Sequence, residues 1–279
     1  QRLCLNFMRH LKAIDMRHYT FVALDGASLA LLRRIDEPTV DATSMVALPR
    51  GGSDEYGSRA FYAVNGGRFH VLLAILETGI SVFSVDVDSV VLRDPLSWLS
   101  SARPDLDMLV QSDARDGLTG LERDPDLVQR RLGLHGRSSW TYVNGGVFYC
   151  RPTARAITLF RRVSQRLSDA AEPPNEQDVL NSELAASAVR WAALPPAAFP
   201  NGFVYLYRPL AEMTNPVVVH ANWINGVAEK EHHWRATGLW LVGAPLGGGR
   251  PRRLLSYAGG GASFVDGFAS HRRALRDAL

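Results

Sequence analysis

Residues 80–95 read ISVFSVDVDSVVLRDP, an apolar run that stops at two aspartates one residue apart, Asp86 and Asp88. The run lacks polar/apolar alternation, which predicts a strand covered on both faces, as in a parallel sheet. It follows directly on FHVLLAILETG (residues 69–79), an apolar helix closed by a glycine. The same alternation extends outward. Residues 4–14 carry apolar side chains at helical spacing, and YTFVAL (19–24) is a β-rich run ending at Asp25. Further strands are predicted at DMLVQS (107–112), GGVFYC (145–150) and PVVVHA (216–221), with helices at 154–167 and 176–186. Strands alternating with helices imply an α/β sandwich with a mostly parallel central sheet, whose ligands sit at the carboxyl ends of the strands. Asp25, Asp86, Asp113 and His220 fall at such ends.

With 279 residues and 46% apolar composition, the chain can bury a sizeable core. It reads as a catalytic domain over residues 1–242, followed by a Gly-rich connector and a final helix over 243–279. No window approaches the roughly 18 apolar residues of a membrane span, so the chain as given is expected to be soluble. The net charge of +3, with basic residues dispersed, argues against a nucleic-acid partner. Cys4 and Cys150 allow one disulfide or two buried thiols. Of 31 basic residues only Lys12 and Lys230 are lysine.

Three Asp-x-Asp pairs occur. Asp105/Asp107 follows ARP in a predicted turn, and Asp124/Asp126 flanks a proline at a predicted helix start, where carboxylates cap free amides. Only Asp86/Asp88 emerges from a buried run. Along a strand, such residues share a side, roughly 7 Å apart. Left bare they would repel each other and resist desolvation; a divalent ion such as Mg²⁺ or Mn²⁺ removes that cost. The plain alternative is a solvated strand end with one Asp capping the next turn. A haloacid-dehalogenase-like phosphatase would use Asp86 as nucleophile, but the chain has no Gly-Asp dipeptide and its pair comes late. A nucleotide-sugar transferase would need a third metal ligand and a cation for the leaving phosphates. VVVHANWINGVAEK (217–230) offers both: His220 ends a β-branched run, Gly226 allows close backbone approach, and Lys230 is a compact ammonium in an arginine-rich chain.

These segments, with FVALD, VQSD, YVNGGVFYCRP and EQDVLN in order, resemble glycosyltransferase family 77. The resemblance implies a GT-A type Rossmann-like sandwich. It also implies a retaining, metal-dependent transferase that moves a pentose such as arabinose or xylose, or galactose, from a UDP-sugar to a hydroxyl of a glycan or glycoprotein. By resemblance, Asp86, Asp88 and His220 bind Mn²⁺ (or Mg²⁺), and Lys230 with the Gly226 backbone holds the β-phosphate. Arg68 lies near the diphosphate, Gln177 and Asp178 near the β-face of the sugar, and Asn144 with Gly145 in the sugar and acceptor pocket. VNGG has a tight β-turn as its plain alternative. Related folds open with a strand of the nucleotide pocket, whereas this chain opens at the helix expected after it, which leaves Asp25 as the candidate base or ribose contact. A Golgi lumen location, through an anchor outside this sequence, is implied by the resemblance alone. A catalytically inactive metal- or carbohydrate-binding module is the non-enzymatic alternative.

Overall fold

The computed structural model describes residues 1–46, 57–100, 104–113, 142–207 and 215–243, all within the compact unit Gln1–Leu246. The Asp124/Asp126 pair and residues 244–279 of the expected connector and final helix lie outside the described residues. In chain order the elements are α1 (Arg2–Ala13), β1 (Phe21–Ala23), α2 (Gly26–Arg34), β2 (Thr39–Asp41), α3 (Arg59–Glu77), β3 (Val82–Val85), β4 (Ser89–Val91) and α4 (Pro95–Ser100). They continue as β5 (Met108–Ser112), β6 (Val143–Cys150), α5 (Ala154–Asp169), α6 (Glu176–Ala185), β7 (Trp191–Ala193), α7 (Gly202–Tyr207), β8 (Val218–His220) and α8 (Val227–Ala236).

Strand periodicity builds the sandwich. Met108 and Val110 of β5 and Phe148 and Cys150 of β6 point to one face, where Phe69, Leu72 and Leu76 of α3, Leu159, Phe160 and Val163 of α5, and Leu180 of α6 cover them. Leu109 and Val147 point to the other, against Phe7 and Leu11 of α1, Phe21 of β1 and Leu32 of α2. Both faces are thus covered, and each fully buried Phe or Leu contributes about 2–3 kcal/mol. The central sheet has the order β3-β6-β5-β7. β3, β5 and β7 run one way; β6 is reversed and sits between β3 and β5, so its ladders are antiparallel while β5 and β7 pair in parallel. β1 and β2 form a separate parallel pair, and β4 and β8 an antiparallel one.

Reversal of β6 positions the site. Its first residues lie beside the carboxyl ends of its neighbours, with Val85 opposite Val147 and Ser112 opposite Val143. VNGG is therefore strand, not turn. α3 begins at Arg59 rather than Phe69, capped by the Ser58 hydroxyl, which accepts from the Phe61 amide at 3.1 Å. Glycines inside it serve close packing: a Cβ on Gly67 would sit 2.3 Å from Val46 Cγ1. Cys4 and Cys150 are free thiols, and burial pushes the Cys150 thiol up to about 12.

Residues 104–105 form the predicted turn, and Asp107 beyond it is buried. It is 1% exposed, accepts two hydrogen bonds of 2.8 Å from Arg155 and one of 2.8 Å from the Arg190 amide, and so ties β5 to α5 and to the start of β7. Burial alone would raise its pKa, but these donors outweigh burial and hold it at about 2. Asp107→Ala should lower stability by about 3 kcal/mol, since it strips buried charge-assisted bonds, and differential scanning calorimetry would read the shift. Because the folded pKa lies below the unfolded one, this contribution is complete above about pH 4 and fades as pH falls through 2.

Candidate active site

Asp86 and Asp88 do not lie along one strand. Asp86 follows β3 with its amide bonded to the Gly146 carbonyl at 2.8 Å, and the Ser89 amide closes back on the Asp86 carbonyl at 3.0 Å. The pair therefore occupies a β-turn leading into β4. That turn folds the carboxylates closer than a strand would. Register then delivers the imidazole: Ser89 of β4 stands opposite His220, the last residue of β8.

The result is a cluster in which one ligand atom from each of Asp86, Asp88 and His220 lies within 4.8 Å of the other two. His220 Nε2 is 3.2 Å from Asp88 Oδ1 and 3.7 Å from Asp86 Oδ2. Each carboxylate gives its other oxygen to a protein cation: Asp86 Oδ1 accepts from Arg68, and Asp88 Oδ2 from Lys230. Burial would raise the Asp88 pKa, yet His220 in its charged form and the Lys230 ammonium outweigh it and hold the group well below the usual carboxylate range. Asp88 Oδ1 is nevertheless buried without a hydrogen-bond partner among the described residues. An orphaned carboxylate oxygen, a second carboxylate oxygen and an imidazole nitrogen gathered within 4.8 Å of one another are a donor set that suits a hard divalent ion. Six-coordinate bonds of about 2.1 Å place neighbouring ligand atoms about 3 Å apart. The space is kept by Gly146, where a Cβ would lie 2.4 Å from His220 Cε1 and 2.5 Å from Asp86 Oδ2.

A second network adjoins the first. Gln177, in the first turn of α6, accepts from Asn144 Nδ2 at 3.1 Å and the Gly145 amide at 3.0 Å, and donates to Asp113 Oδ2 at 3.0 Å. Asp113 also accepts from Asn144 at 3.1 Å and Asn222 at 2.6 Å. Burial pushes its carboxyl up to about 6 against the pull of these amides. The Asn144 side chain links the networks, its Oδ1 accepting from the Gly146 amide at 2.7 Å.

The structure thus brings Arg68, Asp86, Asp88, His220 and Lys230 into one contact set, and Asn144, Gly145 and Gln177 into another beside it. Asp178 turns to the Tyr142 hydroxyl, and Asp25 caps α2 by accepting from the Ser28 amide at 2.8 Å and its hydroxyl at 2.6 Å. Gly226 has φ +85° and precedes α8, whose first turn has no side-chain cap. Four participants went unassigned in the sequence. Asp113, noted in the sequence at a strand end but given no role, directly follows β5, and Asn222 follows His220 by two residues. Buried Glu176, 3.4 Å from Arg68 Nη2, precedes Gln177. Gln111 is polar and wholly buried in an apolar strand. The oddity of a Gln in MLVQS was the available signal.

The sequence pattern of the nucleotide-diphospho-sugar transferase family matches residues 15–233. The UDP-D-xylose:L-fucose alpha-1,3-D-xylosyltransferase MGP4 of Arabidopsis thaliana is 27% identical over 237 residues, covering 81% of this chain and 63% of that protein. Arabinosyltransferase RRA2 of Arabidopsis thaliana is 30% identical over 186 residues, covering 62% of this chain and 39% of its own length. The chain therefore spans less than two thirds of either relative. Among solved structures, the WbbM bifunctional glycosyltransferase superposes with a TM-score of 0.51 at 15% identity, over 79% of this chain and 44% of that one, which shows a shared fold of the GT-A type. With the family pattern covering most of its length, the chain belongs to the nucleotide-diphospho-sugar transferases of glycosyltransferase family 77.

Proposed function

We propose that the chain moves a sugar, a pentose such as arabinose or xylose, or galactose, from a UDP-sugar to a hydroxyl of a glycan or glycoprotein acceptor, with retention of anomeric configuration. The observation that carries this reading is the convergence of Asp86 Oδ2, Asp88 Oδ1 and His220 Nε2, with Asp88 Oδ1 otherwise unpartnered among the described residues. These residues would hold Mn²⁺ or Mg²⁺. When bound, such an ion supplies charge neutralisation for a leaving diphosphate. Lys230 and the first amides of α8 would hold the β-phosphate as charge develops on it. Arg68 would sit on the diphosphate side of Asp86, and Asp25 would meet the base or ribose.

Gln177 is anchored by three hydrogen bonds and so offers a fixed dipole to the β-face of the sugar, with Asp178 beside it. Asn144 and Gly145 would line the sugar and acceptor pocket. The acceptor hydroxyl would attack on the face the diphosphate leaves, a diphosphate oxygen taking its proton. The relatives named for xylosyl and arabinosyl transfer support a pentose. A phosphatase reading has lost its support, because family membership points elsewhere and Arg68 occupies one oxygen of the would-be nucleophile. No described helix is long and apolar enough to cross a membrane. Residence in the Golgi lumen, through an anchor outside residues 1–279, is part of the proposal.

Calorimetric titration of UDP should show binding with Mn²⁺ that weakens at least about 10-fold in EDTA. Equal affinity in both, or none in either, would remove the reading. Gln177→Ala should leave UDP affinity within about 3-fold while lowering turnover about 100-fold. Donor hydrolysis without transfer to any sugar acceptor would instead indicate an inactive binding module.

A further inference from the structure

We propose that Gln111 is a positioning residue that fixes which nitrogen of the His220 ring carries hydrogen, and thereby keeps the Nε2 lone pair available to a cation. The inference rests on the cation reading of the site and extends it to a residue that touches neither donor nor ion. Gln111 is wholly buried on β5, and its Nε2 donates at 3.0 Å to both the Phe199 and the Pro200 carbonyls. Carbonyl oxygens only accept, so the amide cannot be turned round. Its Oε1 is thereby aimed at His220 Nδ1, 3.0 Å away. An oxygen lone pair there requires hydrogen on Nδ1, because a bare Nδ1 would place two lone pairs against each other. In a neutral ring, Nε2 is then left unprotonated toward Asp86 Oδ2 and Asp88 Oδ1.

Without this constraint the opposite tautomer would win. An Nε2–H could donate to the orphaned Asp88 Oδ1, and the ring would close the gap between the carboxylates by itself. Gln111 therefore holds the cluster in its acceptor-only state. Its own polarity is set from the far side, by the two carbonyls that precede Asn201.

Two variants separate this role from a packing role. Gln111→Leu removes the acceptor and both donors. Gln111→Glu keeps an acceptor for Nδ1 but disrupts the paired donation to Phe199 and Pro200. Long-range ¹H–¹⁵N spectra of His220, recorded in EDTA near pH 9, should show the Nδ1–H tautomer in the unaltered chain and in Gln111→Glu, and Nε2–H in Gln111→Leu. With MnCl₂ as the probe, read by the electron paramagnetic resonance signal of free Mn²⁺, Gln111→Leu should bind about 10–100-fold more weakly and Gln111→Glu within about 3-fold. An Nε2–H ring in the unaltered chain overturns the proposal without any variant needing to fold. Equal losses of Mn²⁺ affinity in the two variants overturn it as well, marking Gln111 as packing. Should the tautomers behave as stated while no chain binds Mn²⁺, the positioning role stands and the cation reading falls.

Discussion

Gly146→Ala is expected to cost at least about 100-fold in Mn²⁺-linked UDP affinity while leaving the fold intact. The added methyl would stand 2.4 Å from His220 Cε1, 2.5 Å from Asp86 Oδ2 and 2.9 Å from Asn144 Oδ1, distances at which something must move. The ring is the less able to yield, being 3% exposed and tied at Nδ1. Displacing it or the carboxylate by a few tenths of an ångström spoils a coordination shell that Mg²⁺ or Mn²⁺ requires to be near-ideal. Gly145→Ala is the matched control. Its Cβ would lie 3.1 Å from Arg68 Nη2, which can give way, so the loss should be at least about tenfold smaller. Calorimetry on both variants, with thermal melting to verify folding, decides the matter. Equal affinities for the two would show that the space beside His220 is not a ligand site.

Asp88→Ala is expected to abolish Mn²⁺-linked UDP binding, a loss of about 1,000-fold or more. The substitution removes one of three converging donors and also the partner of Lys230, leaving that ammonium without its carboxylate beside Asp86. Asp88→Asn is the sharper variant. It preserves volume and one oxygen, but places an amide where either Lys230 or the cation expects negative charge, so it should fail nearly as completely. If Asp88→Asn bound UDP and Mn²⁺ as the unaltered chain does, the carboxylate's charge would have no part in the site. Both variants should keep cooperative unfolding, because the turn that carries Asp88 is closed by the Ser89 amide on the Asp86 carbonyl rather than by the Asp88 side chain.

Much of this site is visible in the chain before folding. Asp86, Asp88 and His220 stand out because each ends an apolar run, although β3 proves to be a half-buried edge strand and only the run before His220 is fully buried. Lys230 stands out by its rarity. Other parts depend on relations that no single stretch contains. β6 reads as a strand, but its direction between β3 and β5 is fixed by tertiary pairing, and only that reversal places Asn144 and Gly146 beside Asp86. The pair's true spacing depends on a turn, because Ser89 re-enters a ladder with His220, more than a hundred residues away in sequence. β2, β4 and β7 are three residues each, too short for a period of two to declare itself. On α6, Glu176, Gln177 and Asp178 differ by about 100° of helix rotation apiece, so the phase set by the Asn175 cap decides which meets Arg68, which meets Asp113 and which turns to Tyr142. The sequence offers all three without that phase. Gln111 acquires partners only when β5 meets β8 and the Phe199–Pro200 carbonyls, and Asp113 only when β6, α6 and Asn222 converge on the end of β5.

Anomalous diffraction from crystals grown with UDP and MnCl₂ tests the central claim most directly. The expected result is one strong manganese peak about 2.2 Å from Asp86 Oδ2, Asp88 Oδ1 and His220 Nε2 together. A map with nucleotide present and no manganese among those three atoms, or with manganese bound elsewhere while they remain as they are, would contradict the account.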